Sequence, residues 1–197
     1  MTDRLDSQLV SQSNSRLTSL AAIETEIWEE LARCVRDKQH AWRAPVLATT
    51  DGNAADARVV ILREVDVAQR QLLVFTDDRA PKVAQLLGHP QGTLVMWSPQ
   101  RSWQLRCHVR LTMENSGLST TSRWARIKLS VAAQDYLSRH APGTPIDAAE
   151  PPTADPLQRE HFGVIRAQVE SIDWLELHPE GHHRAMFDAD GARWLQR

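Results

Sequence analysis

Arg58–Arg106 reads RVVILREVDVAQRQLLVFTDDRAPKVAQLLGHPQGTLVMWSPQRSWQLR, and its order of apolar runs and polar breaks decides the fold. RVVILR is four apolar residues, three of them β-branched, between two arginines, which predicts a buried strand. QLLVFT is a second apolar run of strand length. The polar EVDVAQR between them predicts a hairpin connection. In DDRAPKVAQLLG, Pro81 suits the first position of a helix and Gly88 the position just past its end. Lys82 then falls in the first turn, where the helix dipole is already positive. A cation there makes sense where an anion binds, because free backbone N–H groups and the ammonium can share it. The plain alternative is a solvated lysine on a short helix. Arg58, Arg63 and Thr76 stand at predicted strand ends within reach of the same anion.

The flanks extend a mainly β pattern. Upstream, PVLATTDGNAADA predicts a strand and a turn at Asp51-Gly52-Asn53, and that strand should pair with RVVILR. Further upstream, Leu20, Ile23, Ile27, Leu31, Cys34 and Val35 recur at spacings of three and four. They predict a helix from about Leu20 to Lys38, capped by Ser19, lying as a lid on the sheet. Downstream, SWQLRCHVRLTM alternates Leu105, Cys107, Val109 and Leu111 with polar residues, as a half-solvated antiparallel strand does. SRWARIKLSVAAQDYLSRH predicts a helix capped by Ser122. APGTPIDAAEPPTADP carries five prolines and predicts a mobile loop over 141–160. HFGVIRAQVESIDWLELHP returns to strand character, and HHRAMFDADGARWLQR predicts a hairpin around Asp190-Gly191 whose last strand completes the sheet. Many short antiparallel strands with few helices favour a barrel over a doubly wound sheet. The expectation is one domain over 18–197 behind a flexible arm, 1–17.

Composition narrows the class. The chain has 197 residues, 42% hydrophobic, with a net charge of -2, enough for one real core. The absence of a long basic run argues against a nucleic-acid footprint. MTDRLDSQLVSQSNS has no apolar h-region, so no signal peptide is expected, and no apolar run approaches membrane-spanning length. Cys34 and Cys107 belong to no C-x-x-C pair, which predicts a reduced, cytoplasmic protein. His182-His183 lies in no cluster with ligand spacing, so no metal site is expected.

RVVILR, then VFTDDRAPK, then HPQGTLVMWSPQRSWQLR resembles the flavin-binding core of the pyridoxamine 5'-phosphate oxidase family, which are FMN-binding split β-barrels of antiparallel, Greek-key-like topology. The family pattern is R-x-V-L-L-K, then F/Y-T-N, then S-x-K before a helix, then N-P, then a glutamine on a following strand. Arg58 to Arg63, Phe75, Thr76, Lys82, Pro90 and Gln104 fall on it in order. The resemblance covers roughly 45–197, with 141–160 aligned poorly. It implies FMN as cofactor, with the phosphate held by Arg58, Lys82 and Arg63 and by the Thr76 hydroxyl. The flavin ring would lie along the backbone of Val59, Val60, Ile61 and Leu62, beside Phe75, with the Gln104 amide on its polar edge. Trp174 and, ten residues on, Arg184 match a tryptophan and an arginine that reach the cofactor. Arg63, Tyr136 and His182 match residues on the substrate side. The resemblance also implies a homodimer with FMN between subunits, with Trp174 and Arg184 acting across that interface.

The departures bear on the substrate. Ala80-Pro81-Lys82 stands where the oxidases have Ser-Arg-Lys, and Arg63 where they have lysine. Glu180 replaces the arginine of an R-x-H pair, and a carboxylate there would repel a substrate phosphate. The chain therefore reads as an FMN-binding flavoprotein, an oxidoreductase of unassigned substrate that moves a hydride to or from flavin N5. No side chain is named as catalytic, because the flavin does the chemistry. The alternatives are a haem-binding split barrel using His182, His183 or His161, a deazaflavin-binding one, or a non-catalytic flavin-binding module.

Overall fold

A computed structural model describes residues 16–130, 133, 136–138, 140–145 and 161–196. In chain order it contains α1 (Leu20–Cys34), a 3-10 turn (Ala41–Arg43), β1 (Val46–Thr50), β2 (Ala55–Val59), β3 (Leu62–Asp66), β4 (Gln71–Asp77), α2 (Pro81–Gly88), β5 (Gln91–Ser98), β6 (Trp103–Glu114), α3 (Gly117–Ile127), β7 (Phe162–Glu176), β8 (His183–Asp188) and β9 (Gly191–Trp194). All strand pairs are antiparallel. The path through the sheet is β2-β1-β5-β6-β7-β4-β3, with the β8–β9 hairpin branching from β7. The two ends of that path do not pair with each other, so the sheet is split rather than closed. The architecture is mainly β with flanking helices, as expected. Among the described residues no helix is long and apolar enough to cross a membrane.

The strand pattern follows side-chain alternation. On β6, Leu105, Cys107, Val109 and Leu111 are buried while Gln104, Arg106, His108 and Arg110 face outward. Their inward side joins Leu47, Leu94, Met96, Ile172, Trp174 and Phe187 in one core. Stacked or edge-on indoles cross it, with Trp42 6.5 Å from Trp103 and Trp103 5.2 Å from Trp174. The stripe of α1 closes this core: Ile23, Ile27, Leu31 and Cys34 are fully buried in it. A smaller second core, built from Leu73, Trp124, Tyr136, Phe162 and Val164, packs α3 and the chain around Tyr136 on the other face of β4 and β7.

Several expectations need correction. RVVILR is not one strand. Val59 ends β2 in register with Val46, the Val60 N–H turns to the Pro45 carbonyl at 2.9 Å, and Leu62 opens β3 in register with Val74. The run thus carries the chain from one end of the sheet path to the other. The first helix stops at Cys34 rather than Lys38. The Arg33 carbonyl accepts from both Arg36 and Asp37, and the Arg43 guanidinium donates to the Cys34 and Val35 carbonyls, ending the helix from outside it. Ser19 holds the cap position without a side-chain hydrogen bond. The third helix runs Gly117–Ile127 instead of from Ser122 to His140: Gly117 adopts a φ of 90° that lets the chain turn early out of β6, and the helix has ended by Lys128. Gly88 is the last residue of α2 rather than the one beyond it. Among the described residues the last strand β9 pairs only with β8, so it extends a branch rather than completing the sheet. Residues 1–15 of the expected arm and 146–160 of the expected loop lie outside the described residues. Arg16 is not free: its Nε donates to Glu176 at 2.7 Å, and Leu17 packs on the core.

Candidate functional site

A cavity of about 230 Å³ opens where the β2–β3 crossing, the end of β4 and the start of α2 meet. Eight residues singled out from the sequence line it: Val59, Val60, Ile61, Arg63, Phe75, Thr76, Lys82 and Tyr136. The crossing explains this convergence. Because RVVILR breaks at Val60, Val59 to Ile61 cross between the two end strands at the cavity that Ala80 and Lys82 also line, instead of running straight through the sheet. That N-terminus is open: Ala80 at the cap position has no side chain to offer, Pro81 sits in the first turn, and no acidic residue stands there. Val83 and Leu86 anchor the helix in the core, which leaves the Lys82 amine half-buried at the cavity. Burial and the charge of nearby Arg58 push that amine below its ordinary pKa, while Asp77 pulls it partly back. The Arg63 Nε is buried and has no hydrogen-bond partner among the described residues, although its guanidinium lies 6.0 Å from the Phe75 ring centre. The Thr76 hydroxyl donates to the Asp77 carbonyl at 3.1 Å.

Arg58 stands apart. Its guanidinium is turned to the Leu47 carbonyl at 3.2 Å, Thr49 Oγ1 at 2.6 Å, Gln85 Oε1 at 2.9 Å and the Asp56 carboxylate. It lies close enough to act on Lys82 by charge but does not line the cavity. Leu62 is buried in the core, so only its backbone is available.

Gln104 and Arg184 meet elsewhere, on the outer face of the sheet. Directly paired residues share a face, so Val59, Val46, Val95, Arg106, Asp173 and Met186 form one row across it. Trp97, Gln104, Leu175 and Arg184 form the next. Asp173 is only 2% exposed, clamped by Arg184 through Nε at 3.0 Å and a terminal nitrogen at 2.7 Å, and by Arg106. Burial would raise its pKa, but the hydrogen bonds and charges of the two arginines hold the carboxyl below its ordinary value. Around this net cation the face is apolar and open: Val59 is 63% exposed, Trp97 42% and Val46 36%. Val59 belongs both to this face and to the cavity rim, so the two are continuous.

The structure does not bring Trp174 to either place. It points inward, fully buried between Trp103 and Trp194, one residue out of phase with Gln104 and Arg184. His182 is exposed in the β7–β8 turn, where its Nδ1 accepts from the His178 N–H at 3.1 Å. The sequence reading passed over Asp77 and Pro142 in the cavity wall, and over Asp173 and Arg106. A lone aspartate inside the apolar run SIDWLE was the available signal for the clamp. Asp77, Asp78 and His161 bring ligand-type atoms within 4.8 Å of one another, but Arg79 occupies both oxygens of Asp77. A larger cavity of about 680 Å³ beside α1, lined by Trp28, Val67 and Arg70, holds none of the predicted site residues.

Residues 13–114 match the family described as pyridoxamine 5'-phosphate oxidase, FMN-binding domain. No curated protein matches the chain in sequence. Among solved structures, the chain is similar to a pyridoxamine 5'-phosphate oxidase-related, FMN binding protein from Nostoc punctiforme PCC 73102, with 24% identity and a TM-score of 0.70 over 91% of this chain and 100% of that one. It is also similar to PhzG from Burkholderia lata 383, crystallised with tetrahydrophenazine-1-carboxylic acid, with 14% identity and a TM-score of 0.68 over 90% of this chain and 92% of that one. General Stress Protein 26 from Bacillus anthracis str. Sterne matches at 12% identity and a TM-score of 0.51 over 76% of this chain and 93% of that one. These likenesses establish the split-barrel fold beyond residue 114, where the sequence match ends.

Proposed function

Because the chain belongs to the pyridoxamine 5'-phosphate oxidase FMN-binding domain family, we propose that it binds FMN between two copies of itself and acts as an oxidoreductase on a substrate other than pyridoxamine 5'-phosphate. The observation that carries this reading is the open N-terminus of α2 with the Lys82 amine and the unpartnered Arg63 Nε beside it. Two cations with no carboxylate partner among the described residues, beside a helix start that has no side-chain cap, form a site that a phosphate dianion completes. Arg58 joins them only by leaving Asp56. The bent backbone from Val59 to Ile61 and the Phe75 ring supply an apolar wall beyond the phosphate end.

The dimer follows from size and continuity. A cavity of about 230 Å³ is smaller than a complete small-molecule pocket, which runs to roughly 300–1,000 Å³. The open apolar face adjoins it through Val59. A second copy on that face would cover the cavity and present its Gln104 amide and Arg184 guanidinium to it. Asp173 keeps Arg184 in one orientation, so its charge is fixed before any ligand arrives. FMN, when bound, exchanges a hydride with the substrate. The chain's own part is to hold the phosphate, shield the ring and set a positive charge near it, which favours the reduced flavin anion. Glu180, exposed in the same β7–β8 turn as His182, carries a carboxylate there that disfavours phosphorylated substrates.

The test is a titration of flavin-free protein with FMN and, separately, with riboflavin, followed by the visible flavin spectrum. FMN should bind. The Arg63→Ala/Lys82→Ala variant should bind it roughly 100-fold more weakly, as expected for two lost charge-assisted contacts. Riboflavin, which lacks the phosphate, should bind both proteins equally. A protein that refuses FMN, or that takes haem instead, overturns the reading. Equal FMN affinity in the variant overturns the phosphate assignment alone.

A further inference from the structure

Arg79 lies just before α2 and was not singled out by any sequence pattern. Its Nε and one terminal nitrogen grip Asp77, at 3.0 Å and 2.6 Å, so the guanidinium is locked as a fork on a buried carboxylate. From that fixed position it donates to the Ser138 carbonyl at 2.9 Å and reaches the His140 carbonyl at 3.5 Å. Ser138 and His140 belong to the chain that forms the far wall of the cavity, between Tyr136 and Pro142. Other contacts also hold the wall. Tyr136, 5% exposed, stacks edge-on against Phe162 with centroids 5.4 Å apart. Gly143 comes so close to α2 that a side-chain carbon there would lie 3.9 Å from the Pro81 ring. Arg79 ties this wall to the strand that carries Phe75, Thr76 and Asp77 by charge-assisted hydrogen bonds.

We propose that Arg79 is a positioning residue: through Ser138 and His140 it pins the wall that carries Tyr136 and Pro142 over the phosphate end of the cofactor cleft and thereby sets how long the cofactor stays. This rests on the FMN reading above. The guanidinium is spent on Asp77 and on carbonyls, so it acts through the wall and not as a phosphate ligand. Release of a bound phosphate then requires the wall to lift, and lifting it breaks the Arg79 contacts.

Tyr136 is the chain's single tyrosine, which makes it a reporter of the wall that needs no cofactor. The experiment measures the rate of Tyr136 nitration by tetranitromethane in flavin-free protein, read by mass spectrometry, and the rate of FMN release from loaded protein, read by recovery of flavin fluorescence. Arg79→Ala should raise both rates roughly ten-fold, the scale of one lost charge-assisted hydrogen bond, with Arg79→Lys in between. Arg79→Ala leaves the buried Asp77 carboxylate unpaired, so the charge-neutral Asp77→Asn/Arg79→Gln variant is measured as well and should behave like it. Wild-type rates of both processes in a folded Arg79→Ala or double variant overturn the proposal. So does faster nitration with unchanged release, because the wall would then not hold the cofactor. A wild-type protein that takes up no FMN overturns the cofactor reading, and the nitration rates still decide whether Arg79 holds the wall.

Discussion

Lys82 illustrates how a residue would cost stability in the service of the proposed phosphate site. Its amine is half-buried beside the like charge of Arg58, and its pKa falls below the ordinary 10.5. A lysine whose folded pKa is depressed is penalised in its charged form. Between the folded value and 10.5 the unfolded chain binds more protons, so folding stability rises with pH through that alkaline window. Below the window the full penalty applies. Lys82→Met should therefore stabilise the flavin-free protein at neutral pH, by on the order of 0.5 kcal/mol once solvent screening is allowed for. The gain should fade as pH approaches 10.5, while FMN affinity falls. Urea titrations at neutral and alkaline pH check this, and a destabilised variant at neutral pH would contradict it. The two cysteines sit at the other extreme. Burial pushes both the Cys34 and Cys107 thiols up to about 12, which fits core packing rather than redox chemistry.

At the scale of elements, α1 and RVVILR show where pattern reading succeeds and where it stops. The i, i+3, i+4 stripe of α1 was legible because an amphipathic helix needs nothing but its own sequence to declare its buried face. Leu31 is fully buried on that stripe, so Leu31→Ala should cost about 2–5 kcal/mol, measurable by urea denaturation; a loss below about 1 kcal/mol would mean the helix is not part of the cooperative core. The end of the helix was not legible, since Arg43 terminates it from nine residues away. RVVILR was read as a single strand because four apolar residues in a row satisfy a strand on either side of a break. What divides it is pairing, with β1 before Val60 and with β4 after Ile61, and no local signal records a change of partner.

At the scale of the whole molecule, the outer face raises the question of a partner. An exposed apolar patch of Val46, Val59 and Trp97 around a clamped Asp173 is unusual on a monomer's surface, and under the proposed function its continuity with the cavity would tie assembly to cofactor binding. Under the proposed dimer, Trp97→Glu should place a carboxylate in the interface, shift the protein to monomer in sedimentation velocity and reduce FMN uptake together. A wild-type protein that sediments as a monomer with FMN bound would sink the dimer while leaving the cavity assignment standing.

The sequence by itself determined the fold class and half of the site. Strand alternation, turn residues and the Pro81–Lys82 helix start are local properties. The spacing of Arg63, Phe75, Thr76 and Lys82 along neighbouring strands and α2 was enough to bring them to one cavity. Only the tertiary structure decided which way the remaining candidates face. Trp174 and Arg184 are ten residues apart in sequence, yet one is core and the other surface, because the register of β7 with β6 and β8 assigns their faces. Arg58 is held off the cavity by Asp56, Thr49 and Gln85, a network drawn from β1, β2 and α2. Arg79 donates to carbonyls about 60 residues away. Contacts of that separation depend on chain closure, and residue type and local spacing carry no record of it.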